Sequence, residues 1–362
     1  MSNGTVVNGS PFVAGPMIKD PHLFVGRKRE MRWLQQKMTG VQPVSCCIWA
    51  SRRMGKSSLL FQFYLTWGER TLDPARYVVG YLDLQGVPCD QVKDFYRQIA
   101  AALAAAATHR PELVQSMAHV QDRAGFAQAL QEWREVGVLA VLCLDEFGTL
   151  CEQPGLFDDN FFNNLRALLN DSLLMLVLAT LDPMSTLQKE GKYTSSFFNL
   201  TQGLELKAWQ EEEVSEFLRR PSLGTGKDDT PCLSAAEQQL AREWGGNHPY
   251  ALQLAASCLF AHRHDGGDKQ ARACFEAQIS GNPSLGGLWR LRHLPLPNAL
   301  GGLLLRIWGQ LARWGAWFSR AKKPVVAFLF FVFVMSAVWG GLSGQLTWEK
   351  VFGLVFNQPA SK

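Results

Sequence analysis

Ile48-Trp49-Ala50-Ser51-Arg52-Arg53-Met54-Gly55-Lys56-Ser57-Ser58 is the stretch on which the fold turns. The apolar residues just before it (43–49) suit a short buried strand, and residues 58–64 open a helical pattern. A strand, a loop of small residues, then Gly-Lys-Ser at a helix start is the setting a phosphate-binding loop requires. The loop's backbone N–H groups and the positive end of the helix dipole would face one anion. Lys56 would reach the outer phosphates and the Ser57 hydroxyl would hold Mg²⁺. Ala50 stands where the GxxxxGK[ST] pattern has its first Gly. Alanine resists positive φ, so the loop forms if that position is not left-handed.

Working outward, residues 77–84, 138–144, 173–179 and 204–206 are apolar runs of strand length. The second and third are continuous rather than alternating, which suits strands buried on both faces of a parallel sheet. Helical patterns separate them at residues 92–108, 124–135 and 161–170, giving α/β with a doubly wound parallel sheet, a P-loop NTPase domain over residues 21–206. From residue 207 the pattern is helical only and predicts a small helical lid domain over 207–262. Residues 1–20, rich in Gly, Asn, Ser and Pro, read as a disordered lead-in, and 263–299 as a linker.

Chemistry converges at the strand ends. Asp145 closes the third buried run, placed to order Mg²⁺. Glu146, next in sequence and so aimed differently, could orient and deprotonate an attacking water. Thr180, at the tip of the fourth run, could touch the γ-phosphate or that water. Asp145-Glu146-Phe147-Gly148 also fits the D-x-x-G of GTP switch proteins, but no convincing [NT]-K-x-D follows, which favours ATP.

The balance of 36 Lys+Arg against 32 Asp+Glu gives +4, so no strongly basic face is implied and nucleic acid is not expected as a partner. The eight cysteines form no C-x-x-C pair and sit partly in apolar runs, as buried thiols in a reducing compartment do. The N-terminus lacks the pattern of a signal peptide. Residues 324–346 carry no charge and are long enough to cross a bilayer as a transmembrane helix. Arg320, Lys322 and Lys323 precede them, so the N-terminal side would be cytoplasmic, with residues 347–362 a short tail on the far side. Residues 300–320 interleave Trp, Leu and Arg, as an amphipathic interfacial helix or one packed on the soluble body would. Ser336, Gly340 and Gly344 recur at a spacing that lets membrane helices approach closely.

Phe24-Val25-Gly26-Arg27, the Arg52-Arg53-Met54-Gly55-Lys56-Ser57-Ser58 loop, Tyr81-Leu82-Asp83-Leu84-Gln85, Leu144-Asp145-Glu146 and Gly245-Gly246-Asn247-His248-Pro249-Tyr250 occur in that order. As a set they resemble a STAND-type or archaeal-type P-loop ATPase of the AAA-related class. The resemblance implies that Val25, Gly26 and Arg27 lie by the adenine, that Ala50, Ser51, Arg52, Arg53, Met54, Gly55, Lys56, Ser57 and Ser58 cradle the phosphates, and that His248 and Pro249 of the lid sense nucleotide. Two departures, Ala50 and the missing Arg after Thr180, imply slow ATP turnover more than loss of binding.

Such ATPases act as switches. The expectation is a single-pass protein of the inner (cytoplasmic) membrane, with its ATPase domain in the cytoplasm. It would bind ATP and Mg²⁺, hydrolyse ATP, and change self-association as a homo-oligomer, or its hold on a protein partner, with nucleotide state. Stress or phage defence is the setting by family analogy. The alternatives are a non-catalytic nucleotide-binding membrane scaffold and a membrane-tethered DNA-handling ATPase.

Overall fold

Five strands pair side by side, all parallel, in the order β2-β3-β4-β1-β5. They are β1 (Cys46–Trp49), β2 (Tyr77–Asp83), β3 (Leu139–Asp145), β4 (Leu174–Thr180) and β5 (Gln202–Glu205). The computed structural model describes residues 10–86, 90–221 and 231–282. All of these fall in one unit, Met1–Trp289; the second unit, Arg290–Lys362, lies outside the described residues. The expected interfacial helix (300–320), transmembrane helix (324–346) and tail (347–362) therefore lie outside them too. Among the described residues no helix is long and apolar enough to cross a membrane.

The central strands β3 and β4 are buried at every position, as their unbroken apolar runs require. Period-two alternation splits each between two layers. In β3, Ala140, Leu142 and Leu144 face one core, while Leu139, Val141 and Cys143 face the other. The first layer is covered by α3 (Val92–Ala106), α4 (Pro111–Ala118), α5 (Arg123–Glu135), α6 (Gly148–Cys151), α7 (Asp159–Asn170) and α8 (Met184–Glu190). The second is covered by α1 (Lys28–Thr39), through Met31, Leu34 and Met38, and by α2 (Lys56–Thr66), through Leu59, Leu60 and Phe63. β4 lies between β1 and β3, so the phosphate loop and Asp145 stand one strand apart along the same sheet edge.

The lid is a separate core made by α9 (Glu211–Leu218), α10 (Ala235–Gly245), α11 (Pro249–His262) and α12 (Gly267–Ser280). α11 is its centre, buried on most of its surface between α10 and α12. Gly246 turns the chain from α10 into α11 at φ 56°, and a Cβ at Gly245 would come within 2.5 Å of the Leu252 backbone. Only glycine permits so close an approach.

Three sequence expectations are corrected. Residues 263–299 are not all linker: α12 occupies 267–280 and belongs to the lid, through Ala271, Phe275 and Ile279 at four-residue spacing. Its glycine-rich approach and charged flanks obscured that stripe. Residues 10–20 are not a free lead-in; they lie against both the sheet domain and the lid. Residues 185–199, whose polar composition reads as a loop, instead hold most of α8 and a short 3-10 turn, Ser196–Asn199, whose Phe197 and Phe198 are buried. α4, started by Pro111 at its first turn, was not foreseen.

If α12 is part of the lid, Phe275→Ala removes a fully buried ring packed 5.8 Å from that of Trp244 and destabilises the lid by about 3–5 kcal/mol. Urea unfolding followed by Trp fluorescence checks this; a linker residue would change nothing.

Candidate functional site

The loop from β1 to α2 turns on two left-handed residues, Arg53 (φ 69°) and Gly55 (φ 89°), and Ala50 is not left-handed. The missing first Gly therefore costs the backbone nothing. Ala50 instead donates its N–H to the Thr180 carbonyl at 3.4 Å, tying the loop to β4. The Lys56 ammonium is buried and donates to the carbonyls of Ala50 (2.8 Å) and Ser51 (3.2 Å). Burial pulls its pKa below the usual lysine value, and the carboxylates of Glu146 and Asp145 oppose that.

Asp145 arrives from β3 at 3 % exposure. Its carboxylate accepts the Tyr81 hydroxyl at 3.1 Å and the Glu146 N–H at 3.0 Å. Burial raises its pKa, and the nearby Ser57 hydroxyl, Tyr81 and the Glu146 N–H work against the rise. Glu146 follows in the left-handed region at φ 51°, a conformation that costs a non-glycine residue roughly 1–2 kcal/mol. The turn puts Glu146 on the cavity lining, which Asp145 does not join. Burial first, and then the Asp145 charge, raise the Glu146 pKa, which brings it closer to the range of a general base at neutral pH.

Lys56 and Glu146 border a cavity of about 390 Å³ between the loop, the lid and the N-terminal segment. Of the residues singled out from sequence, Val25, Arg27, Arg52, Arg53, Met54, Gly55, Lys56, Ser57, Ser58, Glu146 and Pro249 line it. Gly26, Ala50, Ser51, Asp145, Thr180 and His248 do not. Thr180 is fully buried, and its hydroxyl donates to the Asp182 carbonyl at 2.7 Å and lies 3.3 Å from the Cys47 sulfur. Thr180 therefore stands off the cavity lining, against the expected contact with phosphate or water.

Gly26 (φ 71°) and Arg27 (φ 56°) are both left-handed, which presents the Arg27 N–H to the Glu213 carboxylate. The Arg27 guanidinium is buried and spans to the carbonyls of Lys207 (2.8 Å) and Met54 (3.1 Å). It pins the phosphate loop to the chain leaving β5. His248 caps α11, its Nδ1 accepting from Ala251 N–H at 3.4 Å.

The sequence did not mark the N-terminal segment, yet it forms a wall of the cavity. Phe12 is buried in the lid core, 5.3 Å from the Phe217 ring. Val13 N–H donates to Gln253 Oε1 at 3.0 Å, and Ile18 N–H to Ser58 Oγ at 3.1 Å. Arg53 donates to the Gly15 carbonyl at 2.9 Å and lies 4.7 Å over the Tyr250 ring. These partners are 38 to 240 residues away in sequence, so no local pattern could have revealed them. Gln85, Trp209, Tyr250 and Gln253 also line the cavity and were not singled out as site residues.

The donor set fits Mg²⁺ and a polyphosphate. Ser57 and Asp145 offer hard oxygens, one from the start of α2 and one from the end of β3. Among the described residues no group of three or more His, Cys, Asp or Glu could cage a metal. Mg²⁺ typically needs no such cage, only one or two protein oxygens plus phosphate and water. The cavity lining carries four cations, Arg27, Arg52, Arg53 and Lys56, against the single carboxylate of Glu146.

Burial holds the His248 pKa down to about 4, from 6.5. Below 6.5 the unfolded chain therefore takes up a proton that the folded chain refuses, and stability falls as pH drops from 6.5 toward 4. His248→Asn keeps a capping acceptor. It should flatten the decline of the thermal midpoint with pH across that window, as read by circular dichroism.

No protein-family model matches the chain, and no curated protein matches it. Solved structures do. The Walker-type ATPase PABY2304 of Pyrococcus abyssi is 18% identical, with 76% of this chain and 78% of that one covered and a TM-score of 0.56. The ORC2 protein of Aeropyrum pernix, solved in ADPNP–ADP complexes, is 13% identical, with 76% and 72% covered and a TM-score of 0.53. The A. pernix ORC1 protein in complex with DNA is 15% identical, with 72% and 67% covered and a TM-score of 0.49. At these identities the likeness concerns the fold and reaches no finer subdivision such as STAND. The chain shares the α/β fold of the P. abyssi Walker-type ATPase and the A. pernix ORC2 protein.

Proposed function

We propose that this chain binds ATP with Mg²⁺ and hydrolyses it slowly, as a switch whose lid responds to nucleotide. The observation that carries this is the placement of Lys56 and Ser57, at the start of α2, and of Glu146, just past the end of β3, on one cavity lined by four cations. The ORC2 neighbour is solved with adenine nucleotides, which supports ATP as the ligand.

In this reading Lys56, Arg52 and Arg53 neutralise the phosphates, and the loop N–H groups between Arg53 and Ser58 orient them. Mg²⁺, when bound, neutralises charge on the outer phosphates, with Ser57 and Asp145 as its protein ligands. Glu146 is the only carboxylate among the described lining residues and accepts the proton of the attacking water. Apolar groups of the N-terminal segment and the lid, Met17 and Tyr250 among them, enclose the base. Turnover is slow because no polar side chain from the end of β4 lines the cavity to stabilise charge there.

The output is proposed to lie at a bilayer. Residues 324–346, uncharged and preceded by three basic residues, would anchor the chain in the inner membrane with this site on the cytoplasmic side. Nucleotide-dependent self-association would then cluster the anchors, with a protein partner and a stress or phage-defence role as the analogy implies. The expectation against nucleic acid rests on the near-even charge balance and on the lack of a basic strip with interleaved aromatics in residues 21–262.

Lys56→Ala in the full-length protein should abolish binding of a fluorescent ATP analogue. Glu146→Gln should bind it while losing turnover by about a hundredfold or more. Normal binding by Lys56→Ala would overturn the site; parental hydrolysis by Glu146→Gln would leave a nucleotide-binding scaffold. Co-flotation of the full-length chain with liposomes, lost when residues 324–362 are removed, is expected. DNA retention that weakens with salt would instead favour the DNA-handling alternative.

A further inference from the structure

We propose that Tyr81 is a positioning residue for Asp145, holding its carboxylate in the orientation that receives Mg²⁺; this rests on the Mg²⁺–nucleotide reading of the site. Two donors hold the Asp145 carboxylate, one on each oxygen. The Glu146 N–H meets Oδ1 at 3.0 Å, and the Tyr81 hydroxyl meets Oδ2 at 3.1 Å. The Ser57 hydroxyl is itself the other proposed metal ligand, and the Glu146 N–H is fixed by the backbone. Tyr81 is thus the one side chain outside the proposed ligand pair that donates to this carboxylate among the described residues.

Strand pairing does not account for this contact by itself. In the β2–β3 register Asp83 lies opposite Asp145 and Tyr81 lies opposite Cys143. Asp83 is exposed and can only repel a neighbouring carboxylate. The Tyr81 ring runs along the sheet past that position and delivers its hydroxyl to the strand end.

The ring is held where it must be. It meets Phe61 edge to face at 5.1 Å and 90°, and Tyr64 at 5.7 Å. Both belong to α2, the helix whose first turn carries Lys56 and Ser57. One helix therefore supplies the serine oxygen and buttresses the group that aims the aspartate. The Met17 sulfur of the N-terminal segment, 3.6 Å from the Tyr81 hydroxyl, is a second acceptor for its one proton, but a thioether accepts far more weakly than the carboxylate at 3.1 Å. A terminal carboxylate torsion is broad in the absence of a fixed donor. Groups that orient a metal ligand typically matter 10–100-fold for metal affinity.

The test is Tyr81→Phe, which keeps the ring and removes only the donor. The readout is the ratio of fluorescent-ATP affinity in Mg²⁺ to that in EDTA, measured on the full-length protein beside its thermal midpoint. A fall in the ratio of about tenfold or more is expected, with Asp145→Asn marking the floor and Tyr81→Phe adding nothing in that background. A parental ratio overturns the proposal, and so does a lowered midpoint with a parental ratio, since that is packing alone. Phe61→Leu loosens the buttress without touching the hydroxyl and should lower the ratio in part. Should Tyr81→Phe not fold, a parental ratio in Phe61→Leu overturns the proposal. If the parent itself shows no Mg²⁺-dependent binding, the site reading has failed, and that failure is seen in the parent rather than in the variant.

Discussion

An ammonium group taken out of water must be met by oxygen and by negative charge. Lys56 is 6 % exposed, and the loop answers it with two inward carbonyls while β3 answers with Asp145 and Glu146. That constraint shapes the surroundings. The chain must double back over Lys56, which needs left-handed residues at Arg53 and Gly55. β3 must end level with the loop although β4 separates it from β1, so β1 and β3 act together there only through the groups at their C-terminal ends. The N-terminus of α2 points at the same place, and its dipole and the lysine together favour an anion there.

Around that centre the cavity is closed by three parts that do not adjoin in sequence. The N-terminal segment joins Phe12 in the lid to Ser58 and Gln62 on α2. Arg27 and Arg53 are the joints: Arg27 links the loop to the exit from β5, and Arg53 links it to both the N-terminal segment and the lid. Each is a charged group whose contacts a phosphate could compete for, which gives a lid of four helices a physical reason to respond to what the loop holds.

Much of the architecture was legible because its signals are local. Continuous apolar runs marked β3 and β4, and Gly-Lys-Ser at a helix start marked the loop. Three features were not. α12 has a clear four-residue stripe, but glycines and charges on its flanks read as linker. The N-terminal segment has one buried ring and is held mainly by side chains far away in sequence. Thr180 sits at the strand tip as expected, but an Asp182 carbonyl captures its hydroxyl, and rotamer choice of that kind is invisible in a string of residues.

By itself the sequence determined the alternation of strands and helices, the loop, and the pairing of Lys56 and Ser57 with Asp145 and Glu146, because backbone propensity, apolar period and motif spacing act over a few residues. Only the tertiary structure decided which of those side chains face the cavity, that Tyr81 donates to Asp145, and that residues 11–19 close the site. Those outcomes depend on packing between segments up to 240 residues apart, where a hydrogen bond or a ring contact forms only after the sheet and the lid have brought the partners together.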